Sequence, residues 1–193
     1  MADHYNVLFV CTNNATRSIM AEAILSHVGG GQFAAHSAGS HPAARVHAEA
    51  IKQMELAQMA GGMYRTKSWE MFAWPGAPRM DLVIALCDVA ANRPRPQFPG
   101  NPISVHLPIP DPEAVSGSLE EVRNAFAAVF ELLNDRIRKM VAMAGSARGK
   151  EDLGKEFERM VKTGRWLTAR ELMAEAGLAL EAKAGLSRDL IPA

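Results

Sequence analysis

The sequence predicts an α/β protein built on a parallel sheet with helices on both faces, and three observations support this. Short apolar runs of strand length at 7–10, 32–37, 81–87 and 103–107 alternate with stretches of helical periodicity. The run at 81–87 is apolar almost throughout, as in a strand covered on both sides. Cys11, Cys87 and Asp111 all fall at or just beyond strand carboxyl ends, where open sheets of this kind bind ligands.

Taken in order, Val7 to Val10 reads as a buried strand, followed by a polar turn. From Arg17 onward, Ile19, Met20, Ala23, Ile24 and His27 recur at helical spacing and predict an amphipathic helix. Gly29-Gly-Gly31 ends it. The match of Gly29, Gly31 and Ala34 to a dinucleotide fingerprint stands after a helix and before a strand, the reverse of the required order. A second strand at 32–37 leads to a loop, then a helix at 46–59 with Val46, Ala50, Met54 and Ala57 on one face. Residues 67–72 suit a short helix. The third strand at 81–87 runs into a turn-rich loop, and the fourth at 103–107 ends at Pro108-Ile-Pro-Asp-Pro112. Ser118-Leu-Glu-Glu121 is a capping box opening a long helix to about 143.

Residues 145–149 read as a linker, dividing the chain into a domain at 1–144 and a helical extension at 145–193. In the extension, Leu153, Phe157, Met160 and Val161 form one stripe. Thr168-Ala-Arg-Glu171 caps a further helix carrying Leu172, Met173, Ala176 and Leu180. These stripes need a surface, either their own domain or a second copy in a homodimer.

Composition narrows the function. Lys+Arg and Asp+Glu both total 21, a balance that argues against nucleic acid and membrane surfaces as partners. With no apolar run of spanning length and no signal-peptide pattern, the expected location is the cytoplasm. Two cysteines in a reducing compartment do not make a disulfide framework, and the six histidines lack zinc-site spacing, so no metal or bound cofactor is expected.

The chemistry concentrates in Cys11-Thr12-Asn13-Asn14-Ala15-Thr16-Arg17-Ser18, a cysteine and an arginine separated by five residues. Amides of a loop that opens a helix favour a tetrahedral anion, and Arg17 can add a bidentate fork. The same field, with the Ser18 hydroxyl, is expected to stabilise a thiolate at Cys11 and make it a nucleophile.

Cys11-x5-Arg17-Ser18 after a strand, with Asp111-Pro112 before the last long helix, resembles the low-molecular-weight protein tyrosine phosphatases, and among them the arsenate reductases of that type. The resemblance spans about residues 5–143 and includes Ser37-Ala-Gly39, Arg45-Val-His47 and Leu86-Cys-Asp88. It implies a flavodoxin-like three-layer fold with a central four-stranded parallel sheet. It also implies that Cys11 attacks the central atom of the oxyanion, that Arg17 and the loop hold its oxygens, and that Asp111 protonates the leaving oxygen. Asn14 would hold an unusual backbone conformation, braced by Ser37. Glu113-Ala-Val-Ser-Gly117 follows Asp111-Pro112 where the tyrosine phosphatases usually carry aromatics, which favours a small inorganic oxyanion.

Cys87 matches the first of two redox cysteines in thioredoxin-coupled reductases, whereas the second position falls near Arg95. A reductase would therefore use an external thiol: glutathione, glutaredoxin or a thioredoxin-type partner. Cys87 either resolves the Cys11 adduct as a disulfide or is a buried strand residue. Arg93 and Arg95 on the next loop would suit an anionic thiol such as glutathione. A phosphatase acting on a phosphoester is the alternative, and a non-catalytic oxyanion- or partner-binding protein the second.

Overall fold

A computed structural model describes residues 4–59 and 61–164. Four strands, β1 (Tyr5–Cys11), β2 (Phe33–Gly39), β3 (Leu82–Ala85) and β4 (Ile103–His106), form one parallel sheet in the order β2-β1-β3-β4. Each strand returns through a helical or looped crossover, as parallel pairing requires. The register sets Cys11 beside Gly39 and Ala85 beside His106, so the four carboxyl ends share one edge.

One face of the sheet carries α1 (Arg17–Val28), α2 (Ala48–Leu56), α4 (Leu119–Ala144) and α5 (Lys150–Thr163), packed over Val7, Phe9, Leu82, Ile84 and Val105. The opposite face, Leu8, Val10, Val83 and Ala85, is covered by Trp69, Phe72, Met80 and the five-residue α3 (Asp88–Asn92). Alternate strand residues thus face two apolar layers, the physical origin of the unbroken apolar run at 82–85.

Several elements depart from expectation. α1 is not amphipathic: Ile19, Met20, Ala21, Ala23, Ile24 and Leu25 are all buried, and His27 is exposed. It lies between sheet, α4 and β2, so apolar neighbours surround it. β2 begins and ends later than 32–37, because Gly30–Gln32 forms a 3₁₀ turn and pairing continues to Gly39. α2 is shorter than 46–59; His47 caps it by accepting from the Glu49 amide. The helix expected at 67–72 is the 3₁₀ turn Trp69–Phe72, capped by Ser68. β3 stops at Ala85, and the chain turns directly into α3, which the turn-rich composition downstream did not announce. The capping box at Ser118 and Glu121 is formed as expected.

α5 belongs to the packed structure. Leu153 and Phe157 are buried in the main core, and Gly154 allows close approach to Ile103 of β4, which a Cβ would meet at 2.6 Å. Among the described residues, no helix is long and apolar enough to cross a membrane. The capping box at Thr168 and the stripe at 172–180 lie outside the described residues.

Candidate active site

The 12–16 loop joins β1 to α1, and its construction follows from where its carbonyls point. Those of Cys11, Thr12, Asn13 and Ala15 accept from the amides of Ser40, His41, Ala43 and His47, at 3.2, 2.9, 2.9 and 2.9 Å. With these carbonyls tied outward to the 40–47 segment, the intervening amides turn inward. Those of Asn13, Ala15, Thr16 and Arg17 donate to no group among the described residues. Thr16, at the N-cap of α1, lends its side chain to no helix amide. The result is a ring of donors at the positive end of a helix, a site for a tetrahedral anion.

Asn14 holds that shape. Its φ of 46° lies in the left-handed region, which asparagine tolerates better than most residues. Its Nδ2 donates to Ser18 Oγ at 2.8 Å and Ser37 Oγ at 2.9 Å, and its Oδ1 accepts from the Lys67 amide at 2.7 Å. Ser37 thus accepts from the Asn14 side chain. Behind it, the Ser37 hydroxyl donates to Glu22, whose carboxylate is paired with Lys67 at 3.1 Å. Gly39 passes so close that a Cβ there would lie 2.6 Å from Thr12 O and 2.9 Å from Asn14 N.

At the centre, Cys11 Sγ lies 3.0 Å from Ser18 Oγ and accepts from the Asn14 amide at 3.2 Å. Burial pushes the Cys11 thiol up, while the Arg17 charge, the Ser18 hydroxyl and amide, and the Asn14 amide each pull it down. The net direction is upward. The expected thiolate-stabilising groups are all in place, yet desolvation of a sulfur only 2% exposed outweighs them. Burial thus opposes the groups that the sequence places around this sulfur to favour its thiolate.

Arg17 leaves the loop toward the segment after β4. Its Nη2 pairs with Asp111 Oδ2 at 3.1 Å and its Nη1 donates to Ile109 O at 3.2 Å, leaving three of its five N–H groups. Asp111 also accepts from the Glu113 amide, capping the 3₁₀ turn Pro112–Ala114. The Thr16 hydroxyl donates to Glu113, which brings a second carboxylate to the rim. From α4, the buried Arg136 steadies this segment by donating to Pro108 O at 3.1 Å; burial lowers its pKa to about 10, still fully charged near neutrality.

Cys87 is half-buried and is no strand residue. It caps α3, accepting from the Ala90 amide, and its Sγ lies 3.5 Å from Thr12 Oγ1. A second thiol thus touches the residue next to Cys11.

The structure brings Cys11, Thr12, Asn13, Asn14, Ala15, Thr16, Arg17, Ser18, Ser37, Cys87 and Asp111 to one edge of the sheet. Sequence reasoning missed Glu22, Lys67 and Arg136, which act across long sequence separation and stand in no motif. It named Glu113 and Arg45-Val-His47 without assigning them a contact to the loop. Among the described residues, no group of histidine, cysteine, aspartate and glutamate side chains is arranged to hold a metal ion.

A cysteine at a strand end, inside a loop of inward amides closed by an arginine, defines a cysteine-dependent oxyanion enzyme. The chain belongs to the low molecular weight phosphotyrosine protein phosphatase family, whose model matches residues 6–156. It is similar to the glutaredoxin arsenate reductase of Synechocystis sp., with 33% identity over 134 residues, 69% of this chain and 97% of that relative. It is also similar to an arsenate reductase of Halalkalibacterium halodurans, 30% identical over 132 residues, 68% of this chain and 91% of the other. In three dimensions it resembles an arsenate reductase solved in a phosphate-binding state, with a TM-score of 0.56 and 30% identity, over 72% of this chain and 98% of that one.

Proposed function

We propose that this chain is an arsenate reductase that draws its electrons from an external thiol of the glutathione or glutaredoxin type. The observation that carries the reading is the second thiol: Cys87 Sγ lies 3.5 Å from Thr12 Oγ1, beside an anion loop whose nucleophile is the neighbouring Cys11. A hydrolytic phosphatase has no need of it. The two relatives named above as arsenate reductases, at 33% and 30% identity, support the same reading, as does Glu113 at the rim in place of an aromatic grip.

In this scheme arsenate enters as a dianion and takes up the loop amides and the free N–H groups of Arg17. It accepts the proton of the buried Cys11 thiol, and the resulting thiolate attacks arsenic. One arsenate oxygen leaves as water with a proton from Asp111. Cys87, as thiolate, then attacks the Cys11 sulfur. The S–S bond forms, the S–As bond breaks, and its electron pair stays on arsenic, reducing As(V) to As(III). Two external thiols reduce the Cys11–Cys87 disulfide, so that arsenate and two thiols yield arsenite, one disulfide and water. The residues assigned to this chemistry all lie within 1–144. The requirement for reduced thiols fits a cytoplasmic setting.

The alternative, phosphoester hydrolysis through a phosphocysteine, would use the same loop, with the Asp111 carboxyl beside Arg17 as proton donor to the leaving oxygen. The deciding experiment is paired turnover on one preparation: arsenate reduction with glutathione and glutaredoxin, and hydrolysis of p-nitrophenyl phosphate. Arsenite formation that requires added thiol, with weak hydrolysis, is the expected result. Hydrolysis without arsenite formation would replace the reductase by the phosphatase, and neither activity would leave an oxyanion-binding protein.

A further inference from the structure

Beyond α3 the chain runs as Arg93-Pro-Arg-Pro-Gln-Phe-Pro-Gly100, with three prolines restricting its backbone. This loop borders a groove of about 640 Å³ lined by Ala91, Arg93, Arg95, Phe98, Asn101 and Ser104, a size common for small-molecule sites. Arg93 and Arg95 form no ion pair among the described residues, whereas Asp88, on the short helix before them, is engaged by His106. Lys150 of α5 donates to Gly100 O at 2.7 Å and lies 3.4 Å from the carbonyl of Asn101, adding a third cation at the edge. The groove is therefore positively charged.

Two connections tie it to the reaction centre. Ala91, on the groove wall, donates its amide to Cys87 O at 3.0 Å; it stands one helical turn from Cys87, on the same face of α3. Arg93 Nη1 lies 3.3 and 3.4 Å from the two ring nitrogens of His41, and the His41 amide donates to Thr12 O. Arg93 thus spans from the groove to the outer side of the anion loop. Of the two sulfurs, Cys11 is 2% exposed and Cys87 is half-buried, so a thiol arriving from outside reaches Cys87 first.

We propose that this groove binds the reductant itself, a small anionic thiol of tripeptide size, with its carboxylates on Arg93 and Arg95 and its sulfur directed at Cys87. The proposal rests on the reductase reading and specifies its electron donor. In the step it serves, the bound thiolate attacks the Cys87 sulfur of the Cys11–Cys87 disulfide. A mixed disulfide forms at Cys87, and Cys11 leaves as thiolate and takes up a proton. A second thiol molecule attacks the mixed disulfide, freeing Cys87 and releasing the oxidised dimer of the reductant. Two thiols are oxidised for each protein disulfide reduced.

The test compares the full chain with the double variant Arg93→Ala/Arg95→Ala. Arsenate reduction is driven in parallel by glutathione and by uncharged 2-mercaptoethanol, and binding of the unreactive S-methylglutathione is followed by calorimetry. The ratio of kcat/KM for glutathione to that for mercaptoethanol is expected to fall about tenfold, as for two partly solvated charge pairs. Arg93→Lys/Arg95→Lys is expected to recover part of it, and S-methylglutathione binding to weaken in step. An identical ratio in both proteins, with arsenite still formed, would overturn the groove and leave the reductase standing. If no thiol drives turnover in the unmodified chain even with glutaredoxin added, the reductase reading fails. The groove is then judged by S-methylglutathione alone: arginine-dependent binding sustains it, and absent or arginine-independent binding overturns it.

Discussion

Asn14 is the residue on which the shape of the site depends most. It is fully buried, holds a left-handed φ, and ties the Ser18 and Ser37 hydroxyls to the Lys67 amide. Asn14→Ala leaves the Lys67 amide without its acceptor and takes one bond from each hydroxyl, and a loss of about 2–4 kcal/mol is expected in denaturant unfolding. Anion binding should fall with it, because the inward amides depend on that backbone. Cys11 yields a pH prediction. Its folded thiol is raised above the reference value of 9.0, so the folded state keeps its proton after the unfolded chain has released it. That contribution to stability is fully present below about pH 9 and is lost as pH rises toward the folded value. Cys11→Ser should remove this part of the alkaline decline, which unfolding curves of both proteins between pH 8 and 10.5 would show. Ser18→Ala removes one group that pulls the thiol down and should slow iodoacetamide alkylation of Cys11 at fixed pH. An unchanged rate would take Ser18 out of the thiol's surroundings.

At the scale of elements, α1 reaches into the site and into the core at once. Its first turn leaves amides for an anion, and its next two turns are surrounded by apolar side chains. A polar change such as Ile24→Asn should therefore cost several kcal/mol, about as much as any core lesion in the chain, despite the distance from the loop. α4 depends on its ends: Ser118 accepts from the Glu121 amide, and the Glu121 carboxylate answers the Ser118 amide at 2.7 Å. Ser118→Ala is expected to lower stability by about 1 kcal/mol. α5 is secured by a missing side chain. Gly154→Ala drives a Cβ into Ile103 and should cost about 1–3 kcal/mol, read as a lower midpoint in thermal or denaturant unfolding.

On the scale of the whole molecule, parallel strand order collects residues from four distant segments at one edge of the sheet. Cys11 comes from β1, Ser37 from β2, Cys87 from the cap of α3 just beyond β3, and Asp111 from beyond β4. Cys87→Ser separates the two chemistries this edge could support. In a reductase it should reduce thiol-driven arsenite formation at least about a hundredfold, the loss expected when a covalent partner is removed. In a phosphatase it should leave p-nitrophenyl phosphate hydrolysis within a few-fold. Equal arsenite formation in both proteins would mean that external thiol attacks the Cys11 adduct directly.

The alternation of apolar runs with helical stretches, the Cys-x5-Arg spacing and the Ser118 capping box are local patterns, so the sequence by itself determined the α/β class, the anion loop, the start of α4 and the identity of Cys11 and Arg17. Periods of two and 3.6 residues, and a cap four residues long, are complete within one window of the chain. What only the tertiary structure decided are relations across the chain. The burial of α1 on all sides comes from its neighbours, and the conversion of residues 88–92 into a helix follows from where β3 stops. The outward tie of the loop carbonyls needs the 40–47 segment, and the Glu22–Lys67 pair behind Asn14 joins residues 45 apart. The raised Cys11 thiol belongs to the same group. The activating groups are written in the motif, but the desolvation that outweighs them is a property of packing and exists only once the chain has closed around the sulfur.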